Sequence, residues 1–114
     1  MAINSRRKGK EGELALAKIL RGYGYETRRG VQYHGGADSP DVIGLPGIHI
    51  ECKRVERLDL TAAYEQAFRD SGDDEIPAVF HKKSKEPWMV TVSLEDFMRL
   101  YGGSDYGKRD NSCV

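Results

Sequence analysis

Apolar and polar positions along the chain change period several times, and each change marks an element. From Lys10 to Tyr23 the apolar residues return at helical spacing. Leu16, Ala17, Ile19, Leu20 and Tyr23 share one arc of the wheel, and Gly24 stops the pattern. The preceding "SRRKGK" reads as a basic arm running into this helix. After it, "YETRRGVQY" is β-prone and basic, "HGGADSP" is a Gly-rich loop, and "DVIGL" is a short strand. Pro46-Gly47 is a strong turn signal, so "DVIGL" and "IHIECKRV" are expected to pair as a hairpin. Residues 61–71, "TAAYEQAFRDS", fit a helix with Ala63, Tyr64, Ala67 and Phe68 toward the core. Two further strands, "PAVFHKK" and "WMVTVS", are joined by "SKEP". Ser93 can cap a last helix, "LEDFMRLY", with Asp96 three residues on as a weaker form of the capping box, and Gly102-Gly103 ends it. Helix, three strands, helix, two strands, helix: this order predicts an α/β domain, a mixed sheet with helices packed against it. The domain spans residues 1–103, and residues 104–114, "SDYGKRDNSCV", read as a disordered tail.

Two places break the pattern. Glu13 falls inside the apolar arc of the first helix, whereas Glu11 points the opposite way. In the strand "IHIECKRV", residues two apart share a face, so Ile48, Ile50 and Cys52 look one way and His49, Glu51 and Lys53 the other. A buried-looking strand carrying Glu51 and Lys53 needs a reason, because burying a charge is costly unless it is paired or bound to metal. Asp41 opens the adjacent strand, where hairpin pairing can bring its carboxylate close. Clustered carboxylates raise one another's pKa unless a cation sits between them. A hard divalent ion with oxygen ligands, Mg²⁺ above all, answers that need. Lys53 beside it can orient or deprotonate water, or stabilise charge as a phosphate is attacked. The plainer reading makes Glu51 and Lys53 an edge-strand surface pair worth about 0–1 kcal/mol. It leaves Glu13 on an apolar arc without a cause.

Composition sets bounds on these readings. The 114 residues suit one domain, 39% hydrophobic and 32% charged content reads as globular, and no apolar run approaches a membrane span. The basic N-terminus lacks the apolar stretch of a secretory signal. Cys52 and Cys113 make no disulfide framework, so a reducing, cytoplasmic compartment is the default. Net charge is zero, yet residues 1–30 hold eight Lys or Arg against three Glu, a surplus of five that the rest of the chain cancels, much of it in "DSGDDE". Such asymmetry turns a basic face to a partner.

Asp41 followed by Glu51-Cys52-Lys53 resembles the PD-(D/E)xK nuclease motif, with Pro40 as its first letter. More narrowly, "RRKGKEGELALAKILRGYGYETRR" followed by "DSPDVIGLPGIHIECKRVE" is similar to archaeal-type Holliday junction resolvases and to the related VRR-NUC domains, a pattern that small phage-encoded nucleases share. The likeness runs from about Arg6 to Val92. It implies a restriction-endonuclease-like fold in which Asp41 and Glu51 are metal ligands, the Cys52 carbonyl adds a backbone ligand, Glu13 is the helix-borne acid and Lys53 the catalytic lysine. Gln66 corresponds to a glutamine that some relatives carry on the helix after the lysine strand, although here it falls on that helix's polar side. Further implications are a Mg²⁺-dependent endodeoxyribonuclease, with Mn²⁺ able to substitute, a homodimer acting on branched DNA, and a bacterial or phage-infected host cytoplasm. Two alternatives stand beside it: a VRR-NUC-type enzyme acting on flaps, nicks or replication intermediates, and a catalytically silent DNA-binding module on the same fold.

The remaining candidates are weaker. His34, His49 and His81 lack metal-ligand spacing and read as loop or surface histidines, with His49 on the Glu51 face. "HGGADSP" lacks the ending of a phosphate-binding loop, Asp38 lies outside the strand that Asp41 enters, and "DSGDDE" does not fit a calcium loop and reads as solvated. Trp88 and Phe80 sit at strand positions and read as core. Phosphate contacts fall to Arg6, Arg7 and Lys8, to Arg28 and Arg29, and to Lys82, Lys83 and Lys85. None looks like base readout, so shape selectivity is expected.

Overall fold

The computed structural model describes residues 5–30 and 40–109, with residues 5–8 and 108–109 as backbone alone. The chain runs α1 (Ser5–Gly22), β1 (Arg28–Arg29), β2 (Val42–Ile43), β3 (Ile48–Arg54), α2 (Leu60–Asp70), β4 (Ile76–Lys82), β5 (Met89–Thr91), α3 (Leu94–Gly102) and α4 (Asp105–Arg109). The strands form one mixed sheet in the order β1-β2-β3-β4-β5. Only β3 and β4 pair in parallel; the other neighbours are antiparallel. Parallel neighbours need a crossover, and α2 supplies it. The α/β class predicted from the periodicity is therefore the one observed.

Alternation along β3 decides how the layers stack. Ile50 and Cys52 join Leu16 and Ala17 of α1, Val42, Ala78 and Phe80 in one core, with Trp88 packed at its side. On the opposite face Val79 meets Ala63 and Ala67 of α2. Both faces of β3 are covered, which leaves His49 1% and Glu51 8% exposed. The hairpin before it is fixed by turn chemistry. Pro46 presets the first central residue, Gly47 takes φ +80°, and the Ile48 N–H donates to the Leu45 carbonyl at 3.2 Å, as a type II turn requires. Each following helix has a side-chain cap: Asp59 accepts from Ala62 N–H at 3.0 Å, and Ser93 from Asp96 N–H at 3.1 Å.

Several boundaries differ from the sequence expectation. The basic "SRRKGK" is the first part of α1 rather than an arm, because Arg and Lys are good helix formers and no proline interrupts them. In α1 the apolar arc is wider than the strip the sheet covers, so Ile19 is exposed, and the helix ends at Gly22, leaving Tyr23 exposed in the turn that follows. Phe68 is likewise exposed, not core. The expected tail is helical over α4, where the Ser104 hydroxyl accepts from Gly107 N–H at 3.2 Å as an N-cap. Residues 110–114, His34, Asp38 and nearly all of "HGGADSP" lie outside the described residues, as do the side chains of Arg6, Arg7 and Lys8. No helix among the described residues is long and apolar enough to cross a membrane.

Candidate functional site

Asp41 is placed by backbone bonds on both sides. Its N–H donates to Ile50 at 2.9 Å, and its carbonyl accepts from Gly30 N–H at 2.8 Å. Gly30 is required here: a Cβ at that position would lie 2.1 Å from the Pro40 carbonyl oxygen. One step beyond, Val42 pairs with Ile50, so Asp41 arrives beside Glu51 and Cys52. Its Oδ2 accepts from the Cys52 N–H at 2.8 Å, bridging the two strands of the hairpin.

Glu51 is on the same strand, with Lys53 Nζ 3.7 Å from its Oε2. Burial pushes the Glu51 carboxyl up to about 7, and repulsion from Asp41 adds to the rise while Lys53 opposes it. Asp41 is also raised by burial, against the Cys52 hydrogen bond and Lys53. Glu13 reaches this cluster from α1. Burial raises its pKa, the Arg29 hydrogen bond lowers it and Asp41 raises it. The three acids therefore form a chain, Glu13 beside Asp41 and Asp41 beside Glu51, with Lys53 favouring the ionised form of each. The thiol between them, Cys52, is pushed up to about 12 by burial and by these carboxylates.

Partners are unevenly shared. Arg29 Nε meets Glu13 Oε1 at 2.6 Å, so the Arg29 guanidinium expected to face phosphate is engaged inside the molecule. Asp41 has a neutral amide donor and Glu51 a loose lysine contact. Two half-compensated carboxylates of hard oxygen character fit a Mg²⁺ ion, which takes one or two carboxylates and keeps waters. Arg28 is exposed beside this edge. Lys82 and Lys83 leave the sheet at the same end as Lys53, since the parallel register pairs Lys53 with His81 and Arg54 with Lys82. A groove of about 380 Å³ opens beside Lys53 and is lined also by Arg57, Asp59 and Gln66.

Gln66, expected on the polar side of its helix, does reach this region. Its Nε2 donates to Asp70 Oδ2 at 2.6 Å, and Asp70 in turn raises the Glu51 pKa. His49 and Asp70, given no role by the sequence reading, converge on Glu51, and Glu75 stands behind His49. His49 is buried rather than on a surface, and His49, Glu51 and Asp70 each place a ligand-type atom within 4.8 Å of the others. Glu75 Oε1 stands 3.6 Å from His49 Nδ1. The ends of "DSGDDE" thus turn inward while residues 72–74 stay exposed. Strand parity had put His49 on the Glu51 face; the coverage of that face by α2 is what buried it. His81 is occupied elsewhere, with Nε2 2.8 Å from Thr91 Oγ1. Comparison of the chain with models of known protein families, with curated proteins and with solved structures finds no match.

Proposed function

We propose that this chain is a Mg²⁺-dependent endodeoxyribonuclease of the PD-(D/E)xK type, selective for DNA structure and closest in character to a Holliday junction resolvase. The observation that carries the reading is the meeting of Asp41 with the Glu51-Cys52-Lys53 segment across the hairpin. Asp41 Oδ2 lies 2.8 Å from the Cys52 amide nitrogen, and Lys53 Nζ lies 3.7 Å from Glu51. Raised pKa values at Glu13, Asp41 and Glu51 support it, because they mark carboxylates that gain from a cation.

In this reading Asp41 and Glu51 hold the ion, with Glu13 in support. When bound, the ion supplies a fixed positive charge that polarises a phosphoryl oxygen. Lys53 holds the attacking water in line and donates toward the phosphate. Arg57, on the groove wall, and Lys82 and Lys83, at the same end of the sheet, hold the DNA backbone through charge, which binds without reading sequence. Gln66 keeps Asp70 turned toward Glu51. A homodimer belongs to this reading, since opposed strands of a four-way junction need two matched sites. Light scattering measures it directly.

The test is incubation of the purified chain with four-way, flap, nicked and linear DNA, in Mg²⁺ or EDTA. Cleavage in Mg²⁺ alone, fastest on the four-way junction, is expected. Equal cutting of linear duplex would remove the junction assignment, and no cutting of any substrate in Mg²⁺ or Mn²⁺ would remove the nuclease.

A further inference from the structure

Among the described residues, His49 is the buried side chain that carries a polar atom without a partner. It is 1% exposed, and its Nε2 has no hydrogen-bond partner among the described residues. Leaving a buried polar nitrogen unpaired is costly. The other ring nitrogen, Nδ1, is turned to Glu75 Oε1 at 3.6 Å. Glu75 is itself held by the Gly72 N–H, which donates to its Oε1 at 2.7 Å. A histidine with a carboxylate behind one nitrogen and an open second nitrogen has the arrangement of a metal ligand, since the rear carboxylate fixes the tautomer and orients the ring.

What lies around that histidine fits the same role. Ligand-type atoms of His49, Glu51 and Asp70 lie within 4.8 Å of one another, a spacing that small side-chain movements close onto a cation. Asp70 is oriented as well, because Gln66 Nε2 donates to its Oδ2 at 2.6 Å and leaves Oδ1 for another partner. Imidazole suits zinc, copper, iron or nickel rather than magnesium. We infer that His49, Glu51 and Asp70 form a site for a transition-metal dication, between β3 and the end of α2, distinct in chemistry from the Asp41 site. Glu51 is common to both, but binding here is read with metal alone, so it stands or falls apart from DNA cleavage.

The experiment titrates the metal-free full chain with Co²⁺ in excess Mg²⁺, following visible absorption, and repeats the titration by calorimetry with Zn²⁺. Pulsed electron paramagnetic resonance of the Cu²⁺-loaded wild type reads nitrogen coupling without any substitution. One equivalent of Co²⁺ with a nitrogen ligand is expected. Asp70→Asn, at the partly exposed end of α2, should weaken binding tenfold or more; His49→Asn should abolish it. Glu75→Gln should weaken it by about 10–100-fold through the ring alone. Asp41→Asn should retain the nitrogen-coupled signal. Absence of nitrogen coupling in the wild type, or equal Co²⁺ affinity in Asp70→Asn and wild type, would overturn the site.

Discussion

Two regions of this molecule break the rule of apolar inside and polar outside, and they break it in opposite directions. Between β3 and α2, polar groups are buried: His49, Glu51 and, beside them, the half-buried Asp70 and Glu75. At β5 and α3, apolar groups are exposed. Leu94 is 77% exposed, Val90 53%, and Phe97 and Met98 51% each, while the one buried residue of α3 is Asp96. The polar side of α3, with Ser93, Asp96 and Arg99, borders a groove that it shares with Arg69 and Asp73 near the end of α2. A buried polar group persists only when something compensates it, and the compensation in the first region is incomplete. An exposed apolar face costs the isolated chain little. The first anomaly therefore carries an uncompensated cost inside the fold, and the second is a permissive surface.

Substitutions in each region test whether the two differ in this way. The largest effect should come from Lys53→Ala, which is expected to slow DNA cleavage by about 10³-fold while DNA binding, measured by fluorescence anisotropy, changes little. Retained turnover would assign the chemistry to another side chain. Next is the pH dependence of the metal-free protein. Glu51 ionises in the fold at about 7, above its ordinary 4.5, so the folded state holds the proton more tightly than the unfolded chain. Its contribution to stability is complete below about 4.5 and is lost as pH rises through 7. Melting in EDTA across that window should show a loss of about 1–3 kcal/mol that Glu51→Gln flattens. A parallel decline in the Gln variant would mean other groups are responsible.

In the second region the numbers should be smaller. Ser93→Ala removes the cap that accepts from Asp96 N–H, and about 1 kcal/mol of stability should go with it in a denaturant titration. Phe97→Ser should change stability by less than about 0.5 kcal/mol, because the ring is half in water already. A loss of several times that size would show that the α3 face is covered in solution, and the contrast between the regions would dissolve.

How much of this was legible in the sequence follows from the kind of signal each feature leaves. Strand parity put Glu51 and Lys53 on one face and Cys52 on the other, and the core on each side of β3 agrees with that division. The Pro46-Gly47 turn and the Ser93 cap were legible because each depends on local chemistry alone. Glu13 stood out by its place on the wheel, and it lies where Asp41 and Lys53 influence it. Asp70 and Glu75 were not legible. They sit at the two ends of a stretch whose composition reads as solvated, and only the closure of α2 onto β3 turns those ends inward. The inversion of α3 was hidden for a related reason. Amphipathic spacing reveals that a helix has two faces and does not say which one the rest of the molecule will meet.

Gly30 and Asp41 have a bearing on the part of the chain between them. The Gly30 amide is bonded to the Asp41 carbonyl, and there is no room for even a methyl group between Gly30 and Pro40. The residues flanking 31–39 are thus clamped directly to one another. Changing the number of residues between two ends so held alters closure entropy only logarithmically. Insertions there, whether by evolution or by engineering, should therefore leave the Asp41 carboxylate in its seat.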